Sequence, residues 1–450
     1  MIPEKELLSL LTDALEKSPA DGTELMAYGV DSSLTRFADS GIHQNVHEND
    51  HSVVARVAVG KRIGVTETNK LAPASISKAI ERAVAMAKES PEEEDFPGFP
   101  ETEQAPEVPS YDQATAEATP DRRAEGVATA ARIAGEKNLK VSGAFRTSNA
   151  SVAVVSTAGT RQHYDATDAF LSVLAIGDGG ESGSQEGYAV SVDDIDIEGV
   201  TRSAVDKCVA AKNPVDLAPG EFDVILEPRA TAEIMSWLSF TAFGAKEVQE
   251  GRSFMAGRIG EKVMHDSITI YDDGRDPEGV PIPFDFEGVP KKRVVMIENG
   301  VARGPVYDSL TAARDGVEST GHAGVATFRG GPGPSNLFIA AGEDDMEALL
   351  SRVKRGLLVT RFHYLNGLLD TKRALFTGMT RDGTFLIENG KMTNSVKNLR
   401  FTDSMLRAYS NVDGVTKDRQ SVGGNWGGIG SVTVPAVLVR DFKFTGATEF

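Results

Sequence analysis

Apolar positions recur at helical spacing over Glu4 to Lys17, where Leu7, Leu8, Leu10, Leu11 and Leu15 fall on one side and predict an amphipathic helix. Short apolar or alternating runs follow at Glu24 to Val30, Leu34 to Phe37, Gly41 to Glu48 and Ser52 to Val59, and these predict successive strands. Gly60 turns the chain into another strand from Lys61, and Pro73 to Lys88 returns to helical spacing through Ile76, Ile80, Val84 and Met86. Helix, meander and helix make one α+β unit over 1–90. The segment Pro91 to Pro109, PEEEDFPGFPETEQAPEVP, breaks the pattern. It is acidic and proline-rich and buries little, so 91–110 is expected to be a linker or an extended surface strap.

A second α+β unit is expected over 111–213. It opens on a helix from Pro120 to Glu136, with Thr119 as N-cap and proline in the first turn. Strands are expected within Val141 to Val155 and Thr160 to Ile176, then a polar loop from Gly177 to Gly187 and a closing helix from Ile197 to Lys212. The remainder, 214–450, reads as β-rich. It contains a strand at Asp223 to Leu226, a helix from Pro228 to about Phe243, and a glycine cluster at 423–430 before a last strand, Val432 to Val439. Between Gly356 and Asn411, apolar runs alternate with Arg381-Asp382-Gly383 and Glu388-Asn389-Gly390. Asp-Gly and Asn-Gly between such runs predict tight hairpins, because primed turns need positive φ.

Composition narrows the function classes. The chain has 450 residues, 40% hydrophobic and 25% charged, enough for two or three domains with a sizeable core. Its net charge of −19 argues against a nucleic-acid binder, which needs a basic footprint to neutralise phosphates. The single cysteine, Cys208, allows no intrachain disulfide and no cysteine zinc cluster. The first residues lack a basic n-region and an unbroken apolar core, and no run is long enough to span a bilayer, so a cytoplasmic location without membrane partners is expected.

The wording of the C-terminal meander carries more than its periodicity. Leu358-Val359-Thr360-Arg361-Phe362, Thr377-Gly378-Met379-Thr380-Arg381-Asp382-Gly383-Thr384-Phe385, Ile387-Glu388-Asn389-Gly390 and Val396-Lys397-Asn398-Leu399-Arg400-Phe401 resemble the C-terminal signature of the TldD/PmbA family, once called modulators of DNA gyrase and associated with peptide processing. The resemblance implies N-terminal helix and antiparallel-sheet domains followed by a barrel-like, β-rich C-terminal domain. In the zinc-bearing branch, the helix matching the one after Pro228 carries H-E-x-x-x-H. Here that helix offers Glu233, Ser236, Ser239 and Thr241 but no histidine or cysteine. It resembles the metal-free PmbA/TldE branch, whose members pair with a zinc-bearing sister chain. The resemblance therefore implies no cofactor on this chain, zinc on a partner chain, and a heterodimer or homodimer acting on a peptide.

Other residues invite chemistry of their own. His47-Glu48-Asn49-Asp50-His51 spells H-E-x-x-H, a zinc pattern when both histidines share one helix face. His43, His47 and His51 sit instead among strand residues, where positions four apart lie roughly 13 Å apart, too far to share an ion bound at about 2 Å. His265 has no partner at ligand spacing. In the glycine-rich run around Ser319 to Asn336, His322 faces two readings, contact to a peptide added as a strand or a hydrogen bond within its own loop. Arg361 and His363 form a third peptide-binding candidate: Arg361 either forks onto a peptide carboxylate or pins Asp370 or Glu388. Cys208 reads as a small buried hydrophobe. Gly177 to Gly187 lacks the lysine and helix of a phosphate loop.

The expected function is the metal-free subunit of a metallopeptidase complex, shaping a peptide groove beside a zinc-bearing chain. The alternatives are a stand-alone metallopeptidase using the His43, His47 and His51 trio, and a non-enzymatic regulatory or binding protein.

Overall fold

The structure, a computed structural model, describes residues 2–325, 330–423 and 430–448. Residues 424–429 of the glycine cluster and 326–329 of the loop after His322 lie outside the described residues. The N-terminal half runs α1 (Glu4–Leu15), β1 (Gly22–Ala38), β2 (Gly41–Val59), β3 (Arg62–Thr68), α2 (Pro73–Glu89), α3 (Gln113–Ala116), α4 (Pro120–Gly135), β4 (Lys140–Ser156), β5 (Arg161–Ile176), β6 (Ser182–Ala189) and α5 (Ile197–Ala210). Its strands form one antiparallel sheet in the order β3-β2-β1-β4-β5-β6. Because β1 pairs with both β2 and β4, the units on either side of the acidic segment share a single sheet.

The strands are longer than the pattern predicts. Glu24 to Val30 and Leu34 to Phe37 belong to one strand, and Gly41 to Glu48 and Ser52 to Val59 to another. Asp31, Ser32 and Ser33, which read as a break, face Asn49, Glu48 and His47 across the ladder, and Asn49 donates to Asp31 at 3.1 Å. Cross-strand partners thus hold polar residues in a solvated ribbon that local propensity would assign to turns.

One face of the sheet is covered by helices. Leu7, Leu8 and Leu11 of α1 and Ile76 and Ile80 of α2 pack on Leu25, Val53 and Val57, each buried leucine or isoleucine contributing about 1.5–3 kcal/mol. α4 and α5 cover Val141, Phe145, Leu171 and Val173, and Thr119 caps α4 by accepting from the Arg122 amide at 3.3 Å. The opposite face sets Met26, Val54 and Val154 against Ile282 and Phe284 of the C-terminal half. The acidic segment straps the outside, with Glu93 paired to Arg314 at 2.8 Å and the Phe99 ring 5.1 Å from the Arg56 guanidinium.

The C-terminal half runs β7 (Glu221–Leu226), α6 (Pro228–Thr241), α7 (Ala245–Gln249), β8 (Ile270–Asp272), β9 (Val294–Glu298), β10 (Val301–Ala302), α8 (Ser309–Asp315), β11 (Asn336–Ile339), α9 (Met346–Ser351), β12 (Arg355–Asp370), β13 (Leu375–Glu388), β14 (Lys391–Ser395), β15 (Leu399–Ser404), α10 (Met405–Ser410), β16 (Val412–Gly423) and β17 (Ser431–Ala447). β7, β12, β13, β15 and β17 pair in succession, and β17 pairs back to β7. This closed ring is the barrel. α6 packs Ile234, Met235 and Leu238 into its core beside Leu357, Phe376, Phe401 and Phe442. The chain is an α+β protein.

The two glycine signals part company. Asn389 and Gly390, at φ 51° and 78°, turn β13 into β14 as expected. Asp382 and Gly383, at φ 54° and 132°, lie inside β13, where the register with β12 slips between Val359 and Arg361. Positive φ serves a bulge as well as a turn, and this bulge re-aims Asp382 toward Arg361. Among the described residues, no helix is long and apolar enough to cross a membrane.

Candidate functional site

The N-terminal turn of α6 is where the two halves exchange charge. Pro228 occupies the first helical position, where its missing N–H costs nothing. Arg229 and Glu233 follow one turn apart, with Arg229 Nε 3.7 Å from Glu233 Oε1. Arg229 also reaches the N-terminal sheet, standing 3.2 Å from Glu186 and donating to the Ser184 hydroxyl at 3.2 Å, both on β6. The second oxygen of Glu233 accepts the Phe362 amide at 2.6 Å. Arg361 pairs with Asp382 at 3.0 Å, and Ser182 on β6 donates to the other oxygen of Asp382 at 2.8 Å. Lys207 on α5 completes the set, 2.7 Å from Glu227 and donating to Gln185 at 2.8 Å. Gly183 permits this approach: a Cβ there would stand 2.3 Å from the Cys208 amide nitrogen.

The electrostatics follow from burial. Burial pushes the Glu233 carboxyl up to about 7 against the pull of Arg229 and Arg361. Burial and the neighbouring Arg229 lower the Arg361 guanidinium, against Asp382 and Glu233. Burial, then Arg361 and Arg381, lowers His363 and favours its neutral form. β6 ends its sheet, so its outer edge has no ladder partner among the described residues. A hollow of about 320 Å³ opens there toward β16, lined by Gln185, Glu186, Tyr188, Arg419 and Gln420.

The sequence candidates divide. Arg361 and His363 are near one another at the bulge, and Arg361 is pinned by Asp382 rather than by Asp370 or Glu388. His322 is not on a groove. It is 1% exposed, with Nε2 2.8 Å from Asp272 and Nδ1 2.8 Å from the Thr320 carbonyl. Asp272 in turn accepts the Ser335 and Asn336 amides, so His322 ties its own loop to β8. His43, His47 and His51 are spaced along β2, and His47 bonds Ser33 at 3.1 Å. His51 lines a separate polar hollow of about 280 Å³ with Tyr28, Glu48, Asp50, Arg146 and Asp168. His265 bonds Ser267 at 2.9 Å. Burial pushes the Cys208 thiol up to about 11, away from nucleophile chemistry. Sequence reasoning missed Arg229, Glu186, Asp382 and Lys207. Only the Arg229–Glu233 spacing on a helix was available as a signal.

These residues do not fit a zinc ion. On α6, the Ser236 and Thr241 hydroxyls bond carbonyls of their own helix at 2.9 and 2.8 Å. Glu233 is held by an amide and flanked by two guanidiniums, which oppose a dication. Among the described residues, no three histidine, cysteine or carboxylate side chains are grouped to hold a metal.

Family models described as PmbA/TldA metallopeptidase domain 1, central domain and C-terminal domain match residues 24–87, 100–212 and 219–446. A metalloprotease PmbA homolog from Haemophilus influenzae is 26% identical over 388 residues, covering 82% of each chain. A Methanothermobacter thermautotrophicus metalloprotease is 27% identical over 227 residues, half of this chain and 49% of its own length. The chain thus spans about half the length of some curated relatives it matches. TldE from Thermococcus kodakarensis superposes with a TM-score of 0.87 at 24% identity, covering 98% of this chain and 99% of its own. That likeness is one of fold.

Proposed function

The chain belongs to the PmbA/TldD metallopeptidase family, and we propose that within it this polypeptide is a metal-free, PmbA/TldE-like subunit that works in the cytoplasm beside a zinc-bearing sister chain. The observation that carries the reading is α6. The helix that bears the H-E-x-x-x-H ligands in the zinc branch here offers one carboxylate, Glu233, already held by Phe362, Arg229 and Arg361. The chain's contribution is then shape. The hollow between β6 and β16 is the place for a peptide segment on this chain, while the hydrolytic ion sits on the partner. Arg361 and His363 lie at the bulge as candidate peptide contacts. The stand-alone reading loses support because His43, His47 and His51 are strung along one strand.

The test uses purified full-length chain, alone and mixed with a sister chain carrying H-E-x-x-x-H. Peptide cleavage is expected only in the mixture, with the two chains co-eluting. Cleavage by this chain alone, abolished by a chelator and restored by zinc, would overturn the proposal.

A further inference from the structure

On the face of the N-terminal sheet turned away from the helices, Ile282 and Phe284 cover Met26, Val54 and Val154. The rows of side chains beyond them form the floor of the polar hollow of about 280 Å³ that His51 lines. Register explains its shape. Val30 pairs with Ala150 and Ser32 with Ser148, and all four point to this face. Short side chains at adjoining positions leave a depression, and longer ones wall it. Tyr28 stands at one end and Arg146 at the other, with Glu48 and Asp50 along β2 and Asp168 on β5.

The walls set the character of an occupant. Arg146 is paired with Asp168 on the neighbouring strand. Asp50 accepts the His51 amide at 2.9 Å, and among the described residues no cation pairs with Asp50 or Glu48. Three carboxylates therefore face one guanidinium, which favours a cation over an anion. Val30, Ala150 and the Tyr28 ring add apolar surface beside those carboxylates, which suits a charged head on an apolar stem. Pockets for whole drug-sized ligands run from about 300 to 1,000 Å³, so this hollow fits one long side chain with its flanking backbone. It is also close to the hollow beside β16. Arg146, Phe170 and Tyr188 form one cross-strand row on β4, β5 and β6, and Tyr188 lines that other hollow. Two strand spacings, about 10 Å, separate the ends of the row, a distance that about three extended residues span.

We propose that this hollow is a subsite for a lysine or arginine side chain of the peptide, its stem over Val30 and Ala150 and its cationic head on Glu48 and Asp50. The inference rests on the reading that this chain takes part in peptide processing, and it adds the substrate class: peptides carrying a basic residue a few positions from the segment held beside β16. A free amino terminus shares the ammonium chemistry but lacks the apolar stem. The chain's net charge of −19 also attracts any basic peptide weakly. That background does not depend on two particular carboxylates, so removing them separates a subsite from a general field.

Calorimetric titration of the full chain at physiological salt tests this without any cleavage. The probes are two peptides, uncharged at both ends and identical except for a single lysine or norleucine, and a third with norleucine and a free amino terminus. The lysine peptide is expected to bind about tenfold more tightly than the norleucine peptide, several-fold for each carboxylate. Glu48→Gln combined with Asp50→Asn should bring the two to near parity. Asp39→Asn, in the turn at the far end of β1 beside Lys140, should leave the preference intact. Should the double variant not fold, Glu48→Gln alone decides, with a several-fold loss expected. Equal binding of lysine and norleucine peptides would overturn the proposal. So would a preference that survives the carboxylate variants, falls equally in Asp39→Asn, or follows the free amino terminus. Such a result leaves the metal-free subunit reading standing, whereas cleavage by this chain alone ends that reading without touching the binding comparison.

Discussion

Around α6, Arg229 and Arg361 stand among Glu186, Glu233 and Asp382. At the sheet junction, Arg56 serves Glu24 and Glu287, with Asp285 and Asp308 close by. Both clusters bridge the N-terminal sheet and the C-terminal half, and in both burial raises one glutamate to about 7. They differ in how charge is balanced. With Arg381 3.7 Å from Asp382, three cations match three carboxyls at α6, which leaves little attraction for an added metal ion. At the junction one cation stands among four carboxyls, and backbone amides supply the rest of the balance, three of them to Asp285 alone. The same residue types, buried to a similar degree, are thus balanced by guanidiniums in one place and largely by backbone amides in the other.

The widest gap between the clusters should come from deleting a cation in each. Arg56→Met leaves Glu24 and Glu287 buried without a counter-charge and is expected to cost about 3–5 kcal/mol in denaturant unfolding. Arg361→Met should cost about 1–2 kcal/mol, because Asp382 keeps Ser182 and has Arg381 3.7 Å away. Equal losses would erase the distinction.

A smaller effect sharpens it. Glu233 has its folded pKa raised, so the stability it lends is present in full below the ordinary carboxyl range and is lost as pH rises through about 7. Glu233→Gln keeps an acceptor for the Phe362 amide and removes that loss. The variant should equal the parent near pH 4.5 and exceed it at pH 8 by on the order of 1–2 kcal/mol. Identical pH profiles of Tm would show that the carboxyl does not titrate in that range. The smallest effect is expected on the ribbon. Replacing His47 and His51 together with alanine should change stability by about 0.5 kcal/mol or less and leave metal content unchanged, since both lie on a solvated strand.

These differences were unevenly legible in the sequence. Periodicity located α1, α2, α4, α5 and α6, and Asn389-Gly390 marked a true hairpin, because those signals are local. The same local logic failed at Asp31 to Ser33 and at Asn49, where cross-strand partners hold polar residues in a strand, and at Asp382-Gly383, where positive φ makes a bulge. It also left His322 between a peptide contact and a hydrogen bond within its loop, since its glycine-rich surroundings do not reveal the distant Asp272 it bonds. The α6 helix was visible as a segment without histidine. Its charge partners lie on β6, β12 and β13, and one of the two partners of Arg56, Glu287, lies 231 residues away. Pairing over such distances depends on the closed ring and the shared sheet, which no window of sequence contains.

The most direct test of the central claim is to dialyse the purified full-length chain against excess zinc, then against metal-free buffer, and count the ions retained. The filled α6 region predicts far less than one zinc per chain, in the parent and in Glu233→Gln alike. One zinc retained per parent chain, and lost in Glu233→Gln, would contradict it.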